Sequence, residues 1–426
     1  MMRFVYTTLA YLLVPFAFGI VLWRGFRDRS YWQNLGERFG FGRHENATTI
    51  WVHAVSMGEV QAAAPLVRAL RTRYPDTPLV LSTVTPTGAL RGRSLFGDDV
   101  HVRFVPYDIP GCVRRFFDRA RPRLAVVLET ELWPNLYREC GRRGVPLVLA
   151  SARISPRSVG RYRLLVSLFR QTLSHGIMIA AQSKSDAERF KSIGANPQRT
   201  HVIGNIKFDF ELPDGAALAG RTLRDTQAPD RPIWIAGSTH EGEEEVVLDA
   251  HRALRERIGN ALLVLVPRHP NRFESVANAL RKRAVRFVTR SSGARVRTDT
   301  EVWLVDSLGE LLTFYAASDV AFVAGSLVPI GGHNLLEPAA LGLPMLTGPY
   351  NFNSEDVARL LLEVGAVRVV HDAAELAAQV ATLLGNPAER QQMGSAGRRT
   401  LDGNRGASQR LLDLIDPLLN RRQSLN

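Results

Sequence analysis

Short apolar runs, separated by longer stretches with helical spacing, repeat along most of the chain. In the first half the runs are "TIWVHAV", "PLVLSTVT", "HVRFVPYD", "LAVVLET", "PLVLASAR", "IMIAAQS" and "THVIGNIK". Rich in Val, Ile and Leu, they fit strands buried on both faces of a parallel sheet. Helical segments such as "EVQAAAPLVRALRTRY" lie between most of them. The second half restarts the pattern with "IWIAGS", "ALLVLVPR", "VRFVTR", "EVWLVD", "VAFVAGS", "PMLTG" and "VRVVHD". Each half suffices for one doubly wound α/β domain, and two such domains facing a cleft are a common enzyme layout. The pattern divides the chain into residues 27–210, a linker region 211–232 without strand signal, residues 233–405, and a final helical segment 406–426 that returns to the first domain.

One apolar run differs from the rest. Phe4 to Trp23 carries no charge. Twenty helical residues span about 30 Å, the thickness of a bilayer core. Arg24, Arg27 and Arg29 follow at once, with Arg38 and Arg43 further on. Residues 1–26 therefore read as a membrane-anchor helix with the C-terminal side in the cytoplasm. A cleaved export signal ending near Ala17-Phe18-Gly19 is the alternative, but arginines just after the apolar run oppose export.

Among the 426 residues, 54 Lys and Arg face 41 Asp and Glu, a net charge of +13 that implies an acidic partner. The basic residues are dispersed, with no helix-turn-helix and no interleaved aromatics, so nucleic acid is a poor explanation. An anionic membrane or phosphorylated substrate fits better. Cys112 and Cys140 are too few for a zinc set or a disulfide framework. P-loop, HExxH and GxSxG motifs are absent.

Ligands of open parallel sheets bind beyond the carboxyl ends of the strands. There, Ser56-Met57-Gly58-Glu59 fits a capping box, a pattern repeated at Ser238–Glu241 and Ser307–Glu310. Glu59 therefore has two open readings, a helix cap or a base that takes a proton from an acceptor hydroxyl. Glu129 and Glu131 close a buried strand and need a partner, Arg153 being one structural candidate. Lys207 follows another strand and suits a developing negative charge. Arg268 offers a fork for phosphate, and the adjacent His269 reads as structural. Gly331-Gly332-His333-Asn334 leads into a helix with Glu337 in its first turn. That arrangement suits a phosphate on the backbone and ribose hydroxyls on the carboxylate.

Taken together, "HAVSMGEV", "TPTG", "ETELWPN", "ARIS", "GNIKFD", "AGSTHEGEE", "VPRHPNRF", "DSLGEL", "GGHNLLEPA" and "GPYNFN" resemble the 3-deoxy-D-manno-octulosonic acid (Kdo) transferases of lipopolysaccharide synthesis. The resemblance implies a GT-B glycosyltransferase with two Rossmann-like domains, anchored on the cytoplasmic side of the inner membrane of a Gram-negative bacterium. It implies CMP-Kdo as donor, a lipid A precursor as acceptor, membrane lipid as a further partner, and no cofactor. Glu59 falls on the family's general base, and Glu129 and Lys207 on positions that stabilise the transition state. Donor contacts fall on Pro267, Arg268, Leu308, Gly309, Glu310, Gly332, Asn334, Leu335, Leu336 and Glu337. No metal is implied, since CMP leaves with a single phosphate. The chain departs from its relatives at Leu90, where many carry an acid two positions after "TPTG"; Asp98 or Asp99 is the nearest replacement. Two rival readings are another GT-B enzyme using a UDP-sugar and a non-catalytic adaptor binding anionic lipid.

Overall fold

Fourteen strands form among the described residues, one on each apolar run. The computed structural model describes residues 2–154 and 176–420. Ser155, which ends the "ARIS" motif, and the tail 421–426 lie outside them. The chain divides into two units. Unit 1 takes in Met1–Asp209 and Asn404–Asn426, and unit 2 Phe210–Gly403.

In unit 1 the strands are β1 (Thr49–His53), β2 (Leu79–Thr83), β3 (Val100–Phe104), β4 (Pro122–Leu128), β5 (Leu147–Ala152), β6 (Met178–Ala181) and β7 (Thr200–Val202). Their order is β3-β2-β1-β4-β5-β6-β7, with every neighbouring pair parallel. Strand β1 is buried throughout, so alternate residues serve two cores. Ile50 and Val52 pack with the helices Met57–Arg73, Pro86–Phe96 and Ala407–Asn420. Trp51 packs with Pro110–Ala120, Pro134–Arg143 and Lys184–Ser192. Each such side chain contributes about 1.5–3 kcal/mol by leaving water. The helix Ala407–Asn420 is fastened at its start by Asp209, whose carboxylate accepts from Gly406 N at 2.6 Å, Ala407 N at 3.2 Å and Ser408 N at 2.5 Å. A carboxylate there satisfies amides that the helix itself leaves unpaired.

In unit 2 the strands are β8 (Ile233–Thr239), β9 (Leu262–Pro267), β10 (Phe287–Thr289), β11 (Val302–Leu304), β12 (Val320–Val323), β13 (Met345–Thr347) and β14 (Val367–Val369). They run β10-β11-β9-β8-β12-β13-β14, again all parallel. The strand order reverses between β1 and β4 in unit 1, and between β8 and β12 in unit 2. Those switch points are where a doubly wound sheet opens a crevice.

Two expectations need correction. The stretch read as a linker holds the helix Ala216–Gln227 and belongs to unit 2. Gly220 lets it approach the helix Leu311–Ala316 so closely that a Cβ there would lie 2.3 Å from Ala316 Cβ. Arg38 does not flank the apolar helix as a free charge. It is 4% exposed, donates to Val84 O at 3.0 Å and lies over the Phe104 ring at 4.2 Å.

Candidate active site

At the switch point of unit 1, Glu59 follows β1 and Glu129 follows β4. Ser56 has the extended backbone of an N-cap, but its side chain makes no capping bond. Glu59 instead reaches back past Ser56, and its Oε2 accepts from Val55 N at 2.7 Å. The carboxyl is half-buried, and burial together with the charge of Glu129 pushes its pKa up to about 7. Glu131 adds to the rise; Lys207 opposes it.

Glu129 holds a left-handed backbone (φ 55°), with its N–H donated to Ala150 O at 2.9 Å. A non-glycine residue there is strained and is kept by its surroundings. Its carboxylate meets Lys207 Nζ at 2.8 Å, so Lys207 is a partner of this acid. Lys207 is placed by Asn205, whose Oδ1 accepts from Lys207 N at 3.0 Å. Glu131 accepts from Trp133 Nε1 at 2.7 Å. The sheet thus brings Glu59, Glu129 and Lys207 into one electrostatic cluster.

After β2, Thr85 caps the helix Pro86–Phe96 by accepting from Gly88 N at 3.1 Å. Leu90 is exposed on that helix. Asp98 and Asp99 do not replace it. They precede β3, at the opposite end of the parallel strands, and Asp99 pairs with Arg71.

At the switch point of unit 2 the carboxylates are committed elsewhere. Neither repeated capping box forms. The helix Glu243–Arg257 is capped by Gly242, and exposed Glu241 pairs with Arg272 at 3.3 Å. Glu310 is held by Ser307 and, bidentately, by Arg290 at 2.8 and 3.0 Å, which keeps its pKa low. Fully buried Glu243 accepts from His240 N at 3.0 Å, Gly325 N at 2.8 Å, and Ser326 N and Leu327 N at 2.9 Å each. It fixes the turn that leaves β12.

Behind that turn lie three histidines and an arginine. His240 and His333 stack with centroids 5.0 Å apart and share a hydrogen bond between their Nε2 atoms at 2.8 Å. His269 meets His240 edge-on at 5.3 Å. Burial and the charge of Arg268 hold His333 down to about 3. Pro267 ends β9, and Arg268 N donates to Thr239 O at 3.0 Å. Gly331 and Gly332 have φ of 108° and 76°, and a Cβ on Gly332 would lie 2.4 Å from Asn351 Oδ1. Asn334 accepts from Leu336 N at 3.1 Å and donates to Glu337 at 3.1 Å. The helix that follows, Leu336–Ala340, is only five residues long. Leu335 and Leu336 are buried, backbone included, whereas Leu308 and Gly309 are exposed.

The comparisons with known proteins agree over the whole chain. Residues 33–210 match the family described as 3-deoxy-D-manno-octulosonic-acid transferase (kdotransferase), and residues 307–416 match one described as glycosyl transferase-like. A 3-deoxy-D-manno-octulosonic acid transferase of Haemophilus influenzae is 42% identical over 99% of this chain and 100% of its own length. The chain belongs to the Kdo transferase family. A second relative of the same name, from Bordetella pertussis, is 38% identical over 88% of each chain. The structure of a UDP-GlcNAc 2-epimerase from Neisseria meningitidis shares the fold, with TM-score 0.58 at 13% identity over 86% of this chain and 99% of its own. As a Kdo transferase the protein is a glycosyltransferase with the two parallel-sheet α/β units of the GT-B fold.

Several residues of this family member were not singled out from sequence. Glu243 hides among the acids of "THEGEEE", where nothing local distinguishes it from Glu241 or Glu245. His240 lies 93 residues from His333, and the two meet only through the adjacency of β8 and β12. Among the described residues, no three His, Cys, Asp or Glu side chains converge in metal-ligating positions.

Proposed function

We propose that this Kdo transferase moves Kdo from CMP-Kdo to a hydroxyl of a phosphorylated lipid A precursor, with inversion, and that Glu59 is the general base. The observation that carries the proposal is the half-buried Glu59 carboxyl, pushed up to about 7 beside the Glu129–Lys207 pair. A base works best when its pKa lies near the operating pH. Burial raises the affinity of Glu59 for a proton most, Glu129 adds to the rise and Lys207 limits it.

The donor's anomeric carbon bears a carboxylate and no hydrogen. Its bond to CMP breaks ahead of attack, giving oxocarbenium character. The acceptor oxygen bonds to that carbon, its proton passes to Glu59, and CMP departs with the bonding electrons. Arg268 offers a cation to the phosphate, and the turn from Gly332 to Glu337, whose amides at Gly332, His333 and Leu336 are bonded within the protein, brings the Glu337 carboxylate to the nucleotide. The apolar segment Phe4–Gly25 and the net charge of +13 favour work at the cytoplasmic face of an inner membrane, against an anionic lipid.

The deciding assay is Kdo transfer from CMP-Kdo to a tetraacyl lipid A precursor by wild type and Glu59→Gln. Glutamine preserves size but not basicity, so the variant is expected to fold and to lose nearly all turnover. Retained activity would move the base elsewhere, Glu129 first. Turnover of UDP-N-acetylglucosamine instead of CMP-Kdo would favour the UDP-sugar reading. Lipid binding without CMP release would favour the adaptor.

A further inference from the structure

Lys207 follows β7, yet its ammonium meets Glu129 just beyond β4. Two strands, β5 and β6, stand between them. Three strand spacings come to about 14 Å, which the four-carbon stem of a lysine does not span. The backbone from Ile203 to Asp209 therefore turns back across the ends of β6 and β5. Its hydrogen bonds trace that route. Ile203 N donates to Ala181 O at 3.0 Å, closing the pairing with β6. Ile206 N then donates to Ser151 Oγ at 3.3 Å, near the end of β5. The single turn Ile206–Asp209 follows, with Ile206 and Phe208 buried and Lys207 between them.

Both ends of this returning segment are held by one distant element, the start of the helix Ala407–Asn420. At the near end, Arg410 Nε donates to Ile203 O at 2.7 Å. Gly204 (φ 91°) leaves room for that guanidinium, since a Cβ there would lie 3.0 Å from Arg410 Nη2. At the far end, the Asp209 carboxylate takes the amides of Gly406, Ala407 and Ser408. Between the two, Ile206 shares a core with Ala407 and Leu411. Three amides on one carboxylate and a guanidinium on a carbonyl are charge-assisted bonds, stronger than neutral ones. They fix a piece of backbone that no strand ladder holds.

We propose that Asp209 and Arg410 are positioning residues for Kdo transfer, a clamp on the two ends of Ile203–Asp209 that sets the Lys207 ammonium against Glu129. They act through Lys207, not on the substrate. The proposal rests on the catalytic reading of Lys207 above and identifies what holds that cation in place.

The test is steady-state Kdo transfer by the full chain in detergent, with CMP-Kdo varied and the pH scanned, for Asp209→Ala, Asp209→Asn and Arg410→Met. Denaturant unfolding checks that each folds, and Arg410→Met serves if Asp209→Ala does not. Asp416→Asn is the control. Asp416 accepts from Arg73 at 2.6 Å near the other end of the same helix, so its loss loosens the helix away from Lys207. Asp209→Ala is expected to lower kcat by roughly 10–100-fold with KM for CMP-Kdo changed less than about twofold. Asp209→Asn keeps an acceptor oxygen and should fall between Asp209→Ala and wild type. The rising limb of the pH profile should move in the same direction as in Lys207→Met. Added to Lys207→Met, Asp209→Ala should cost no further activity, because the cation it positions is gone. An equal further loss in that background overturns the proposal, as does a matching loss in Asp416→Asn. Should Lys207→Met itself be fully active, the catalytic reading of Lys207 fails and takes the clamp with it. Should Lys207→Met be impaired while Asp209→Ala and Arg410→Met are not, the clamp alone is overturned.

Discussion

The two sheets carry the same Ser-x-x-Glu pattern beyond their strands and spend the carboxylates in opposite ways. In unit 1, Glu59 is half-buried, accepts from the Val55 backbone N–H and sits beside another carboxylate, so burial and the neighbouring charge push its pKa up to about 7. In unit 2, Glu243 takes four backbone N–H groups, Glu310 takes Arg290, and Glu241 pairs with Arg272. A carboxylate with that many donors is a brace. One left near a like charge is a group that can exchange a proton. The difference lies in what the fold places three-dimensionally around each acid, which the shared four-residue pattern does not encode.

That contrast can be broken most forcefully by paired substitutions. Glu59→Gln should lower kcat by roughly 10²–10⁴-fold with the thermal transition intact, measured by transfer assay and calorimetry. Glu243→Ala should do the reverse first, costing about 3–5 kcal/mol of stability in denaturant unfolding, because four amides and the turn after β12 lose their acceptor.

A smaller effect sharpens the role of charge. Activity should rise with pH through about 7 as Glu59 loses its proton. Removing the like charge in Glu129→Gln should move that limb to lower pH by up to about one unit, and removing the cation in Lys207→Met should move it higher by less, both read in a kcat/KM profile. Stability runs the other way. The raised pKa of Glu59 stabilises the fold below its ordinary 4.5, and this contribution is lost as pH rises through about 7. Folded Glu59→Gln should therefore be the more stable protein at pH 8, by on the order of 1–2 kcal/mol after allowance for solvent screening.

The smallest contrast concerns capping itself. Asp372 accepts from Glu375 N at 2.8 Å, so Asp372→Ala should cost about 1 kcal/mol. Ser56→Ala should cost less than about 0.5 kcal/mol, since Ser56 makes no such bond.

The strands were legible because parallel strands buried on both faces leave unmistakable apolar runs, such as Ile50–Val52 and Leu263–Val266. The helix Ala216–Gln227 was not, because its flanking Pro213, Gly215 and Pro229 are turn residues and only Gly220 of the helix is buried. Positions of Glu59, Glu129 and Lys207 after their strands could be read, but not their charges acting on one another. That coupling depends on β1 lying beside β4, which is a property of strand order. Arg38 misled for a related reason. An arginine after an apolar helix looks like a flank until Phe104 and Val84 O are found beneath it.

Unit 1 is discontinuous in sequence, and this bears on how the molecule is made. Its helix Ala407–Asn420 supplies Leu411, Ile415 and Leu419 to the core that also holds Ile50 and Leu124. During synthesis all of Phe210–Gly403 leaves the ribosome before that helix does. Unit 2 can therefore close its core while the nascent unit 1 still exposes an apolar face along its sheet. At about 5–20 residues per second, the roughly two hundred intervening residues hold that face open for some ten to forty seconds. The first-made half of this chain is the last to finish folding, and it is the half that needs guarding by a chaperone or a nearby membrane while it waits.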